Sequence, residues 1–149
     1  MAFKTQPSIH VVVSVAFQDA GDTTRAIAIA AALRDLCSPG RDLKITFLSC
    51  GSRFEYMITD AGFLIARAQP EVKGVSVAHD LEWSFPEFFG SVEIAKKFIE
   101  GQLAALRELK PDIVFHGMWA PASLAARMLG SGPSTSYPSR CIQVASPMD

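Results

Sequence analysis

The residues best suited to chemistry in this sequence are two carboxylates three positions apart, Asp19 and Asp22, which flank Gly21 in a short acidic turn. A carboxylate at the mouth of a cleft can take the proton from a hydroxyl as that hydroxyl attacks an electrophile. A second carboxylate nearby raises the pKa of the first, because like charges oppose ionisation. Against that role stands helix capping by Asp22 or Thr23, whose side-chain oxygens can accept from the free N–H groups of a first turn. The positive end of a helix dipole also lowers an aspartate's pKa. A second candidate cluster is His116 with Trp119, directly after the apolar run 112–116. His116 at a strand end can bind a substrate hydroxyl, orient a carboxylate, or simply bond to neighbouring backbone. Trp83, Phe85, Phe88 and Phe89 crowd the stretch 69–90 without a clear period. That stretch reads either as a hydrophobic cluster over a sheet edge or as the apolar wall of a binding site. His10 and His79 carry no partner signal, and neither Ser123 nor the cysteines have nucleophile-elbow spacing.

These groups need a scaffold, and the hydrophobic pattern supplies one. Residues 9–15 form a β-branched run of the kind buried on both faces of a parallel sheet. Further strands are predicted at 43–49, 63–66, 112–116 and 141–145, with helices at 23–36, 53–60, 91–109 and 121–129. The helix at 23–36 is apolar almost all the way round, which predicts an interior position between layers. The helix at 91–109 is amphipathic, with Phe98, Ile99, Leu103 and Leu106 on one side. Strand alternating with helix predicts a single Rossmann-like α/β domain, a parallel sheet of about five strands with helices on both faces. The long crossover through 91–109 places the fourth strand beside the first. The loops after these two strands then face each other across the crevice where ligands bind in such sheets. Asp19, Asp22, His116 and Trp119 become neighbours by topology.

Composition narrows the partners. The 149 residues carry a formal net charge of −1, which gives no electrostatic case for nucleic acid or an anionic membrane. No apolar run reaches the roughly 20 residues of a membrane span, and the N-terminus does not read as a secretory signal. Cys37, Cys50 and Cys141 are widely spaced with no metal-ligand pattern, so reduced thiols and a cytoplasmic location are expected. The first turn has one glycine and two aspartates, whereas a phosphate cradle needs several glycines and no negative charge. A nucleotide held by this turn is disfavoured, and with it a flavodoxin-like nucleotide-binding domain.

The run 9–33, in which Gly21-Asp22 opens an alanine-rich helix, resembles the N-terminal half of two-domain GT-B glycosyltransferases. The similarity extends through Lys44-Ile45-Thr46-Phe47-Leu48, Phe54-Glu55, Ala61-Gly62-Phe63 and Pro111-Asp112-Ile113-Val114. The Gly-Asp pair is closest to the branch that glycosylates sterols and natural products, where the aspartate serves as general base. That resemblance implies an acceptor-binding domain with Asp22 as base and Gly21, Asp19, Trp83, Phe85, His116 and Trp119 at the acceptor. Two positions depart from the family pattern. Arg25 replaces a proline, and Gly117 replaces an aspartate that would orient a histidine base.

In that family a nucleotide-sugar such as a UDP-sugar binds mainly to a second, C-terminal domain. The expectation is therefore a half-enzyme that holds no cofactor or metal itself and is inactive without a donor domain. Its partners would be a hydrophobic small-molecule or lipid acceptor and a donor-domain chain, or a second copy of itself. Residues 131–149 match the family poorly. The competing expectation is a non-catalytic binding or partner module on the same fold.

Overall fold

The computed structural model describes residues 8–15, 19–37, 42–71, 92–117, 119–130 and 140–143. The elements run β1 (Ile9–Ser14), α1 (Ala20–Leu36), β2 (Leu43–Ser49), α2 (Glu55–Asp60), β3 (Leu64–Arg67), α3 (Val92–Leu109), β4 (Ile113–His116), α4 (Ala120–Gly130) and β5 (Arg140–Gln143). The strands form one sheet in the order β3-β2-β1-β4-β5, and every pairing is parallel. The fold is Rossmann-like α/β, as the alternation of patterns implies.

Strand periodicity assigns each face. Val11, Val13 and Val15 pack with Ala26, Ala30, Ile58 and Phe63 on the side of α1 and α2. Val12, Leu48 and Val114 pack with Phe98, Leu103, Leu106, Ala122 and Ala125 on the side of α3 and α4. The central strand is thus buried on both faces, which is why its sequence is an unbroken apolar run rather than an alternating one.

Helix α1 departs from expectation. Only Thr23, Ala26 and Ala30 are buried. Alanine is the reason: it scores as apolar but has too little surface to demand burial, so one packed face suffices. The third strand starts one residue late. Phe63 instead turns inward against Phe47, with ring centroids 5.2 Å apart, and Arg34 lies over its outer face at 4.9 Å. The fifth strand lies one residue earlier than the pattern suggests at its start. Helix α3 packs hard on the chain after β3: a Cβ on Gly101 would lie 1.5 Å from the carbonyl oxygen of Gln69. Only glycine allows that approach.

Candidate functional site

The strand order reverses direction between β1 and β4, so the switch point lies where the sequence places it. Ser14 and His116 are register partners at the C-terminal ends of these strands. Just beyond, a Cβ on Gly117 would sit 3.3 Å from Val15 Cγ1, so the two strand ends converge closely.

Asp19, not Asp22 or Thr23, caps α1. The helix begins at Ala20, earlier than its apolar pattern, because Asp19 is extended and its Oδ1 accepts from the Asp22 N–H at 2.6 Å. Thr23 donates its hydroxyl back to the Asp19 carbonyl at 2.9 Å. Gly21 fits beneath this cap, where a Cβ would stand 3.1 Å from Asp19 Oδ1. With the cap supplied by Asp19, no backbone amide among the described residues bonds to the Asp22 carboxylate. Its Oδ1 meets Arg25 Nη1 at 3.2 Å, a pair in which both side chains are substantially exposed. Burial pushes the Asp22 pKa up, the Asp19 charge adds to the rise, and Arg25 opposes it. The helix dipole would act in the opposite direction. Arg25 is thus the counter-ion of Asp22, a role its i,i+3 spacing makes visible in the sequence.

His116 is 2% exposed, and its Nδ1–H donates to the Gly117 carbonyl at 3.1 Å. Trp119 is buried among the side chains of the α3–α4 face, edge-on to Phe98 at 5.6 Å between centroids. It stands in the core rather than beside Asp22. Trp83 and Phe85, like His79 and most of 69–90, lie outside the described residues.

Two polar networks escape the sequence pattern. Beneath the C-terminal ends of β1 and β2, Ser14 donates its hydroxyl to Gln102 Oε1 at 2.8 Å. Gln102 Nε2 in turn donates to Cys50 Sγ at 3.3 Å. Gln102 occupies the apolar stripe of α3, four residues from both Phe98 and Leu106, and a polar residue on such a stripe is the signal that marks it. Burial pushes the Cys50 thiol up to about 11, so it is a packed group rather than a nucleophile. At the opposite edge His10, read as partnerless in the sequence, bonds through both ring nitrogens, to Leu109 and Thr46.

Among the described residues no three His, Cys, Asp or Glu side chains come together to hold a metal ion. No helix among them is long and apolar enough to cross a membrane.

No family model and no curated protein matches the chain. Several solved structures do, and they are GT-B glycosyltransferases. MurG of Acinetobacter baumannii is 17% identical with a TM-score of 0.52, over 83% of this chain and 33% of its own. The glycosyltransferase SnogD of Streptomyces nogalater is 19% identical with a TM-score of 0.50, over 93% of this chain and 34% of its own. The glycotransferase of kitacinnamycin is 16% identical with a TM-score of 0.52, over 93% of this chain and 30% of its own. At these identities the likeness is one of fold: the chain resembles a GT-B half-domain and spans about a third of the neighbours' length.

Proposed function

We propose that this chain is the acceptor-binding half of a nucleotide-sugar-dependent glycosyltransferase, with Asp22 as general base. The acceptor is a hydroxyl on a hydrophobic small molecule or lipid, as in the sterol and natural-product branch that Gly21-Asp22 resembles. The Asp22 carboxylate takes the hydroxyl proton while the oxygen attacks the anomeric carbon. The bond from that carbon to the nucleoside diphosphate breaks, and the diphosphate leaves with the electron pair. Asp19 and Gly21 shape the first turn, and Trp83 and Phe85 are assigned to the apolar wall by the composition of their stretch. The donor binds to a second domain, without which this chain is inactive.

The observation that carries the reading is the division of labour between the two aspartates. Asp19 takes the cap, and Asp22 keeps a carboxylate of raised pKa at the open end of the sheet. A base works best when its pKa approaches the working pH, so the direction of the shift favours the role. The test is sugar transfer from a UDP-sugar to a panel of hydroxylated aglycones, with this chain joined to or mixed with a GT-B donor domain. Asp22→Asn should lower turnover by about 10²–10⁴-fold, the usual worth of a general base, without loss of fold. Undiminished transfer by D22N removes Asp22 from the mechanism.

A further inference from the structure

Helix α1 shows water a face that a surface helix does not ordinarily have. Thr23, Ala26 and Ala30 face the core. On the opposite side lie Gly21, Arg25, Ala28, Ala32 and Asp35, all of them exposed. Their steps of four, three, four and three residues are those of a seam that meets a second helix. The outer side of a surface helix is normally charged along its length. That is so on α3, where Lys96 pairs with Glu100 and Lys97 with Glu93. Between Arg25 and Asp35 the one charged residue of α1 is Arg34, and its guanidinium lies over Phe63 instead. The far end of the seam is apolar as well, with Leu33 37% and Leu36 81% exposed.

The charges at the two ends indicate what covers this face. Arg25 and Asp35 are ten residues apart, about 15 Å along the axis, so neither can satisfy the other. A second α1 laid antiparallel, with the two-fold axis level with residue 30, sets Arg25 against the partner's Asp35. Symmetry repeats that pair at the other end. Ala28 then faces the partner's Ala32, and side chains this small let two helices approach closely. Antiparallel order also opposes the two helix dipoles. A parallel copy would set Arg25 on Arg25 and Asp35 on Asp35. The Arg25 guanidinium has five N–H donors, enough to reach the partner's Asp35 and keep its own pair with Asp22.

We infer that the outer face of α1 is the interface of a two-fold dimer of this chain. The two helices pair antiparallel through Ala28 and Ala32, and two Arg25–Asp35 ion pairs fix the register. One helix from each copy covers less area than a permanent dimer needs, so the association is weak and concentration-dependent. It goes beyond the acceptor reading and stands whether or not Asp22 acts as a base.

The test is sedimentation equilibrium of the full chain at low salt, from about 10 μM to about 1 mM. The mass should rise from one chain towards two, and added salt should weaken the association by screening the ion pairs. Arg25→Glu and Asp35→Arg each turn both pairs into like-charge contacts and should weaken association about tenfold or more. The double variant R25E/D35R re-forms both pairs with the signs exchanged and should recover most of that loss. An equimolar mixture of the two single variants should associate across variants more tightly than either does with itself. Ala32→Glu places a charge at the centre of the seam and should leave a monomer, with far-UV circular dichroism confirming the fold of each variant. D35R and A32E serve if R25E, beside Asp22, does not fold. A wild-type chain that stays monomeric at about 1 mM overturns the inference. So do single reversals that associate as wild type does, or a double variant no better than the singles.

Discussion

The two edges of the sheet are built on different accounts of polar satisfaction. At the N-terminal edge His10 and Asp112 close on the protein itself. His10 bonds Leu109 and Thr46 through its ring, its backbone N–H reaches Asp112 Oδ2 at 2.8 Å, and the Asp112 N–H returns to the His10 carbonyl at 2.9 Å. At the C-terminal edge Ser14, Gln102 and Cys50 form a similar chain, but among the described residues His116 bonds through Nδ1 alone and the Asp22 carboxylate pairs with the exposed Arg25. A fold that needed only stability would close both edges. The proposed site lies at the C-terminal edge, where Asp22 keeps its carboxylate partly exposed.

The largest effect is expected from disturbing the close packing of α3 on the chain after β3. Gly101→Ala would gain up to about 1 kcal/mol of helix propensity. The added carbon meets backbone rather than a movable side chain, so overpacking dominates. We expect a net loss of about 3 kcal/mol in urea unfolding, the upper end for overpacked sites. A smaller effect attends Gln102→Leu, which strands the Ser14 hydroxyl in the core and should cost about 2 kcal/mol. Adding Ser14→Ala should bring part of that back, because it removes the stranded donor. Additive losses in the double-mutant cycle would show that the two side chains do not interact.

The N-terminal edge makes a pH prediction. Burial lowers the His10 pKa below its ordinary 6.5, Lys44 lowers it further, and Leu109 and Asp112 pull it back up. Below the ordinary value the unfolded chain therefore binds more protons than the folded one. Stability should fall as pH drops from about 6.5 through the lower folded value. His10→Gln should flatten the urea midpoint between pH 7 and pH 5.5 relative to wild type. An unchanged slope would mean that His10 titrates alike in both states.

The fold was legible because apolar periodicity is set by burial, and burial is what the sheet imposes on β1, β2 and β4. The first helix misled because alanine looks apolar yet tolerates water, so a pattern drawn from residue type predicts more burial than α1 receives. The cap was misassigned for a related reason. Apolar residues date the start of a helix only from its first packed position, whereas Asp19 starts the backbone turn before any side chain reaches the core. His10 and Gln102 find their partners across 36 to 99 and 52 to 88 residues of chain, distances at which local pattern carries no information. What could be read was their oddity, a polar residue in an apolar face.

The smallest expected effect is the most telling about Asp22. A carboxylate kept for structure would resemble Asp112, which accepts from the His10 amide across the sheet. Asp112→Ala should cost about 1.5–3 kcal/mol, the range for a hydrogen bond to a charged group. Asp22 instead has burial and the Asp19 charge working against its ionised form, and its ion pair with Arg25 is solvent-exposed and therefore weak. A carboxyl whose folded pKa is raised makes the native state less stable at neutral pH than the same site uncharged. That penalty fades as pH falls through the folded value. Asp22→Asn should therefore leave urea stability at pH 7 within about 0.5 kcal/mol of wild type, or raise it slightly. A loss comparable to that of Asp112→Ala would move Asp22 to the structural side of the comparison. The C-terminal edge would then have no carboxylate to offer a hydroxyl.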